Sequence, residues 1–111
     1  MSTEGISERE FEKVADEELR RLVRALDDVD TIETDLQMGV LTIDFGDGSK
    51  YVINSHRAAR QIWMAAERNA WHFDYKPESS SWRTNKDDAE LWSTVDAVLS
   101  RKLGSPIKLA R

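Results

Sequence analysis

The apolar residues of this chain change period twice, and those changes limit the folds open to it. Over residues 7–27 they recur at helical spacing, with Phe11, Val14, Ala15, Leu19, Leu22, Val23 and Leu26 on one stripe. Ser7 followed by Glu10 fits a helix start in which the hydroxyl caps a free N–H. The other face mixes charges, and Glu17–Arg21 and Arg24–Asp28 stand at the i,i+4 spacing of helical ion pairs.

From residue 32 the period is two. Ile32, Leu36 and Met38 alternate with Glu33, Asp35 and Gln37, then Leu41, Ile43 and Phe45 alternate with Val40, Thr42 and Asp44. Gly39 between them is a turn or bulge. Gly46-Asp47-Gly48-Ser49 tolerates positive φ and predicts a hairpin, with Lys50 to Asn54 as the return strand. Residues 60–65, 71–76 and 81–83 have strand-like content, with a turn over 76–81 between the last two. Helical spacing returns from Asp87 to Leu103, with Asn85 or Asp87 as cap and Gly104 and Pro106 as the stop.

Helix, strands, helix in that order predicts an α+β fold. It is a two-layer sandwich with N- and C-terminal helices packed on one face of a five- to six-stranded antiparallel sheet. With 111 residues there is room for one domain, its core over about residues 7–103 and a C-terminal tail over 104–111. No apolar run approaches the roughly 20 residues that span a bilayer. The opening Met-Ser-Thr-Glu-Gly-Ile has neither a cationic start nor an apolar stretch, so the chain reads as cytoplasmic.

The absence of cysteine excludes disulfides, thiolate metal sites and a thiol nucleophile. With His56 and His72 the only histidines, any metal must be held mainly by carboxylates, which suit hard cations. Ser79-Ser80-Ser81 lies in no nucleophile elbow, and no phosphate-binding glycine motif occurs. A binding protein is expected, not an enzyme.

Charge is unevenly spread. Residues 1–47 hold fourteen acids against five bases, a net of −9, while residues 48–111 hold seven against eleven, a net of +4. The acidic half predicts a basic partner or a cation, with a merely solubilising surface as the alternative, and it disfavours nucleic acid. The densest stretch places Asp27, Asp28, Asp30, Glu33 and Asp35 in nine residues with no Lys or Arg among them. Acids at a helix C-terminus oppose its dipole, so local stability does not explain them. The stretch fails the calcium-loop template, because the position needing Gly is Glu33. Any metal site here is open and hydrated.

Trp92 lies on the closing helix's apolar stripe and belongs to the core. Trp63, Trp71 and Trp82 come from strands, and core is the default for each. A sheet covered on one side can nevertheless leave an indole exposed as a contact anchor. His72 and His56, the latter in a loop, read as structural or surface histidines.

Residues 39–54 (Gly-Val-Leu-Thr-Ile-Asp-Phe-Gly-Asp-Gly-Ser-Lys-Tyr-Val-Ile-Asn) resemble the frataxin family. So do Gln61-Ile62-Trp63, Trp71-His72-Phe73-Asp74 with the later Trp82, and Leu91-Trp92. Glu10-Phe11, Ala15-Asp16 and Leu26-Asp27-Asp28 match its first helix. The resemblance covers about residues 10–103 and is to the bacterial, CyaY-like branch.

It implies a sandwich whose acidic ridge binds ferrous or ferric iron weakly, and which docks on the cysteine desulfurase and scaffold protein of iron–sulfur cluster assembly as regulator or iron donor. Asp27, Asp28, Asp30, Glu33 and Asp35 match the ridge, and Asn54, Gln61 and Trp63 the sheet surface that meets the machinery. A monomer that can oligomerise with iron is expected. The alternative is a metal-free adaptor whose acids meet a basic protein surface. Two departures stand out. Val23 and Arg24 occupy positions where relatives tend to carry acids, so Arg24 is expected to compete for Asp28. Ser55-His56-Arg57-Ala58-Ala59-Arg60 replaces the usual loop and gives the contact a more cationic character.

Overall fold

The Ser7 hydroxyl accepts the Glu10 N–H at 3.1 Å and opens a helix, α1, over Glu8–Leu26. In this computed structural model, which describes residues 6–111, Phe11, Leu19, Leu22 and Leu26 of α1 are fully buried. Residues 1–5, which carry the expectation of no targeting leader, lie outside the described residues.

Six strands follow: β1 (Glu33–Gln37), β2 (Val40–Asp44), β3 (Lys50–His56), β4 (Gln61–Ala66), β5 (Asn69–Lys76) and β6 (Ser81–Arg83). They form one antiparallel sheet in simple chain order, and α2 (Leu91–Leu103) closes the fold. Leu41, Ile53, Ile62 and Phe73 turn inward to meet Leu22 of α1 and Val95 and Leu99 of α2 in one core. This is the expected two-layer sandwich, with both helices on one face and the other face open.

Several local expectations are corrected. Met38 does not continue the first strand: with φ 50° it forms a two-residue turn with Gly39 (φ 78°), and its side chain is wholly exposed. The positive φ favours glycine at 39, and a Cβ there would also push the Ser55 hydroxyl aside. β3 runs on to His56, which is therefore a strand residue and not in a loop. α2 starts at Leu91, where its apolar stripe begins, four residues later than the expected start at Asp87. Neither Asn85 nor Asp87 caps it; Glu90 does, accepting from the Trp92 and Ser93 N–H groups at 3.0 Å each. Asp87 instead accepts from Thr84 Oγ1 at 2.6 Å in the preceding turn.

The helical ion pairs also differ. Arg20 pairs with Asp16 and Arg21 with Glu18, whereas Glu17–Arg21 and Arg24–Asp28 are not among the ion pairs of the described residues. The segment after Gly104 folds back: Leu109 is buried, and its N–H donates to Asp96 at 3.0 Å, carrying the core beyond residue 103.

Candidate functional site: an acidic ridge beside an open sheet face

The ridge forms because the chain leaving α1 alternates residues the core takes with residues it cannot take. Leu26 is buried, and Val29 and Ile32 pack against the core. Asp27 caps the C-terminus of α1, and the Asp28 and Val29 N–H groups close the turn onto Ala25 and Leu26. Asp27, Asp28 and Asp30 are left exposed. In β1 the period of two sends Glu33 and Asp35 to the open face of the sheet.

All five acids are therefore at the surface. Their contacts are weak: Thr34 Oγ1 lies 3.5 Å from Asp27 Oδ1, and Gln37 Nε2 lies 3.4 Å from Asp35 Oδ1. None of the five joins an ion pair among the described residues. Among those residues no three His, Asp or Glu side chains converge as a ready metal cage. The donor set is carboxylate oxygen open to water, which fits a hard, hydrated cation and not a closed tetrahedral site.

Asp44, an acid the sequence reading left out, belongs beside them. It stands opposite Glu33 in register and shares a shallow cleft of about 230 Å³ with Glu33, Asp35 and Lys50. Its alternation with Leu41 and Ile43 was the available signal.

The same open face carries Asn54, Gln61 and Trp63. Cross-strand register places Val40, Asn54, Trp63 and His72 side by side on four successive strands. Trp63 is half-buried and faces away from the core, unlike Trp82 and Trp92, which are buried in it. Trp71 pairs with Met64 on the inner face and packs at the edge of the core.

His56 stacks on one side of the Trp63 indole at 3.8 Å between ring centroids, and His72 on the other at 4.3 Å, both within 14° of parallel. Trp63 Nε1 donates to Gln61 Oε1 at 2.8 Å. The histidines thus act on Trp63, a role invisible without the register. The Ser55–Arg60 segment is less cationic toward a partner than its composition suggests. Arg57 turns back onto α1, 3.1 Å from Glu8 and 2.8 Å from Glu12.

The family model described as the frataxin-like domain matches residues 4–105. This chain belongs to the frataxin-like family. The "Iron-sulfur cluster assembly protein CyaY" of Dechloromonas aromatica is 35% identical over 107 aligned positions, with 94% of this chain and 99% of that protein covered. The protein of the same name from Pseudomonas fluorescens is 31% identical over 102 residues, 91% of this chain and 93% of its own length. In fold, this frataxin-like chain is similar to the frataxin of Psychromonas ingrahamii, with a TM-score of 0.85 at 20% identity over 96% of this chain and 100% of that one. Yeast frataxin is a more distant fold match, with a TM-score of 0.64 at 21% identity over 91% and 97% of the two chains. The frataxin-like ridge and sheet face meet at β1, where Glu33 and Asp35 share the open face with Trp63.

Proposed function

We propose that this frataxin-like chain acts in iron–sulfur cluster assembly, by binding and without covalent catalysis. Asp27, Asp28, Asp30, Glu33 and Asp35 hold ferrous or ferric iron weakly, as cargo, and present it to the cysteine desulfurase and scaffold protein. Asn54, Gln61 and Trp63 supply the scaffold contact. The observation that carries this reading is the set of five exposed ridge carboxylates with no ion-pair partner among the described residues, continuous with an open sheet face centred on Trp63. The names of its relatives point to the same process.

Chemically, exposed carboxylates compete with water and must be ordered on binding, so the affinity for a divalent cation is on the order of micromolar or weaker. Weak holding suits a cargo that must be released. The same unpaired charges steer the chain toward a basic partner and make association depend on salt.

A second reading, the metal-free adaptor, is favoured by the lack of any converging group of three metal-ligating side chains among the described residues. Anaerobic ferrous titration with and without the desulfurase separates the two. The proposal expects saturable iron uptake that disappears when all five ridge acids are changed to their amides. Uptake unaffected by that change overturns the iron site. Loss of desulfurase binding with no iron uptake in the unaltered chain establishes the adaptor.

A further inference from the structure

Trp63 is held on more sides than a surface contact residue needs. Its two faces are covered by His56 and His72, and its N–H is committed to Gln61. Gln61 in turn donates from Nε2 to Asp74 Oδ1 at 3.0 Å. An indole N–H can only donate, so Gln61 must offer it the amide oxygen. The amide nitrogen is then aimed at Asp74, and a carboxylate there fixes the amide in that orientation.

Asp74 joins no ion pair among the described residues. It stands opposite Arg83 in register, yet the Arg83 guanidinium goes to Ser81 Oγ at 3.1 Å and to Asp88. Asp74 Oδ2 is buried and, among the described residues, has no partner. A carboxylate with one buried, unsatisfied oxygen is a cost to the fold. What it secures is the Gln61 amide.

We propose that Asp74 is a positioning residue for the contact face: through Gln61 it locks the Trp63 indole in the pose that meets the scaffold protein. The proposal rests on the reading of the sheet face as the scaffold contact. Locking the ring before binding removes an ordering cost from association, which raises affinity without adding a contact. Gln61 then serves mainly as the link between Asp74 and Trp63, since both ends of its amide are engaged within the chain.

A donor–acceptor exchange tests this. Gln61→Glu keeps an acceptor for Trp63 but sets two carboxylates against each other. Adding Asp74→Asn restores a donor facing a carboxylate, with the polarity of the link reversed. The readouts are affinity for a purified bacterial iron–sulfur scaffold protein, the Trp63 indole N–H resonance, and circular dichroism as a check of folding. Gln61→Glu is expected to weaken binding about fivefold, the scale of one side-chain hydrogen bond, and to shift the indole resonance. The double variant is expected to recover both, and Asp74→Asn alone, which keeps an acceptor, to stay near the unaltered chain. A folded double variant no better than Gln61→Glu overturns the proposal, as does a Gln61→Glu variant with unchanged affinity and resonance. If Trp63→Ala binds the scaffold normally, the docking reading fails separately. The indole resonance then still decides whether Asp74 and Gln61 set the ring.

Discussion

The indole of Trp92 on α2 donates its N–H to the Glu18 carboxylate on α1. Glu18 is 8% exposed, and its other oxygen meets Arg21 Nη1 at 3.3 Å. That guanidinium stands 5.5 Å from the centre of the Trp92 ring. Trp92→Phe keeps most of the buried ring but leaves Glu18 Oε2 without its donor, so a loss of about 1–3 kcal/mol is expected. Glu18→Gln keeps an acceptor and should cost distinctly less. Urea denaturation gives both values, and a loss well under about 1 kcal/mol for Trp92→Phe would show that the hydrogen bond contributes nothing.

Removing charge from the ridge should leave the fold intact. Asp28 and Asp30 are exposed, and like charges crowd around them. Asp28→Asn with Asp30→Asn is expected to leave the melting temperature unchanged or raised at low salt, with the difference shrinking as salt is added. A clear fall would reveal structural hydrogen bonds to these carboxylates.

Trp63 and Trp82 should respond differently to truncation. Trp63 lies on the open face between two imidazoles, and Trp63→Ala is expected to cost about 1–2 kcal/mol, the scale of lost aromatic stacking. Trp82 is 1% exposed and packs edge-on against Phe11 at 5.9 Å. Trp82→Ala should cost about 3–5 kcal/mol. Circular dichroism melts compare them directly, and an unfolded Trp63→Ala protein would mean that the ring supports the core.

Acid stability should depend on Glu90. Burial pushes its carboxyl up, but the N–H groups of Trp92 and Ser93, the Ser93 hydroxyl and Arg111 outweigh that and hold it below its ordinary range. A group lowered in the folded state adds stability above its unfolded pKa, near 4.5, and loses it as pH falls through the lower folded value. Glu90→Ala is expected to cost about 1 kcal/mol at neutral pH, the scale of a lost helix cap. It should cost progressively less below about pH 4.5. A penalty independent of pH would assign the loss to packing.

The layered fold and the exposure of Asp27, Asp28, Asp30, Glu33 and Asp35 were legible because they depend on local period and composition. The apolar stripe of α1 and the alternation of β1 and β2 each state their own exposed face. Boundaries set by competing caps were less legible. Glu90 displaces Asp87 as the α2 cap because Asp87 is already engaged by Thr84, and because a longer side chain can fold back onto its own helix. The expected Arg24–Asp28 pair did not form, since Asp28 has left the helix by the turn after Leu26. The stacking of His56, Trp63 and His72 depends on register across three strands, which no single segment encodes. The return of Leu109 to the core likewise rests on a long-range bond to Asp96.

The central claim is that the ridge and the Trp63 face act together in cluster assembly. Its most direct test is the rate of cluster formation on a purified scaffold protein, supplied with desulfurase, cysteine and ferrous iron and followed by absorbance. Adding the unaltered chain should change that rate. Trp63→Ala, and separately the chain with Asp27, Asp28, Asp30, Glu33 and Asp35 changed to amides, should each lose most of the effect while remaining folded. A rate indifferent to the unaltered chain, or altered equally by both variants and the unaltered chain, would contradict the account.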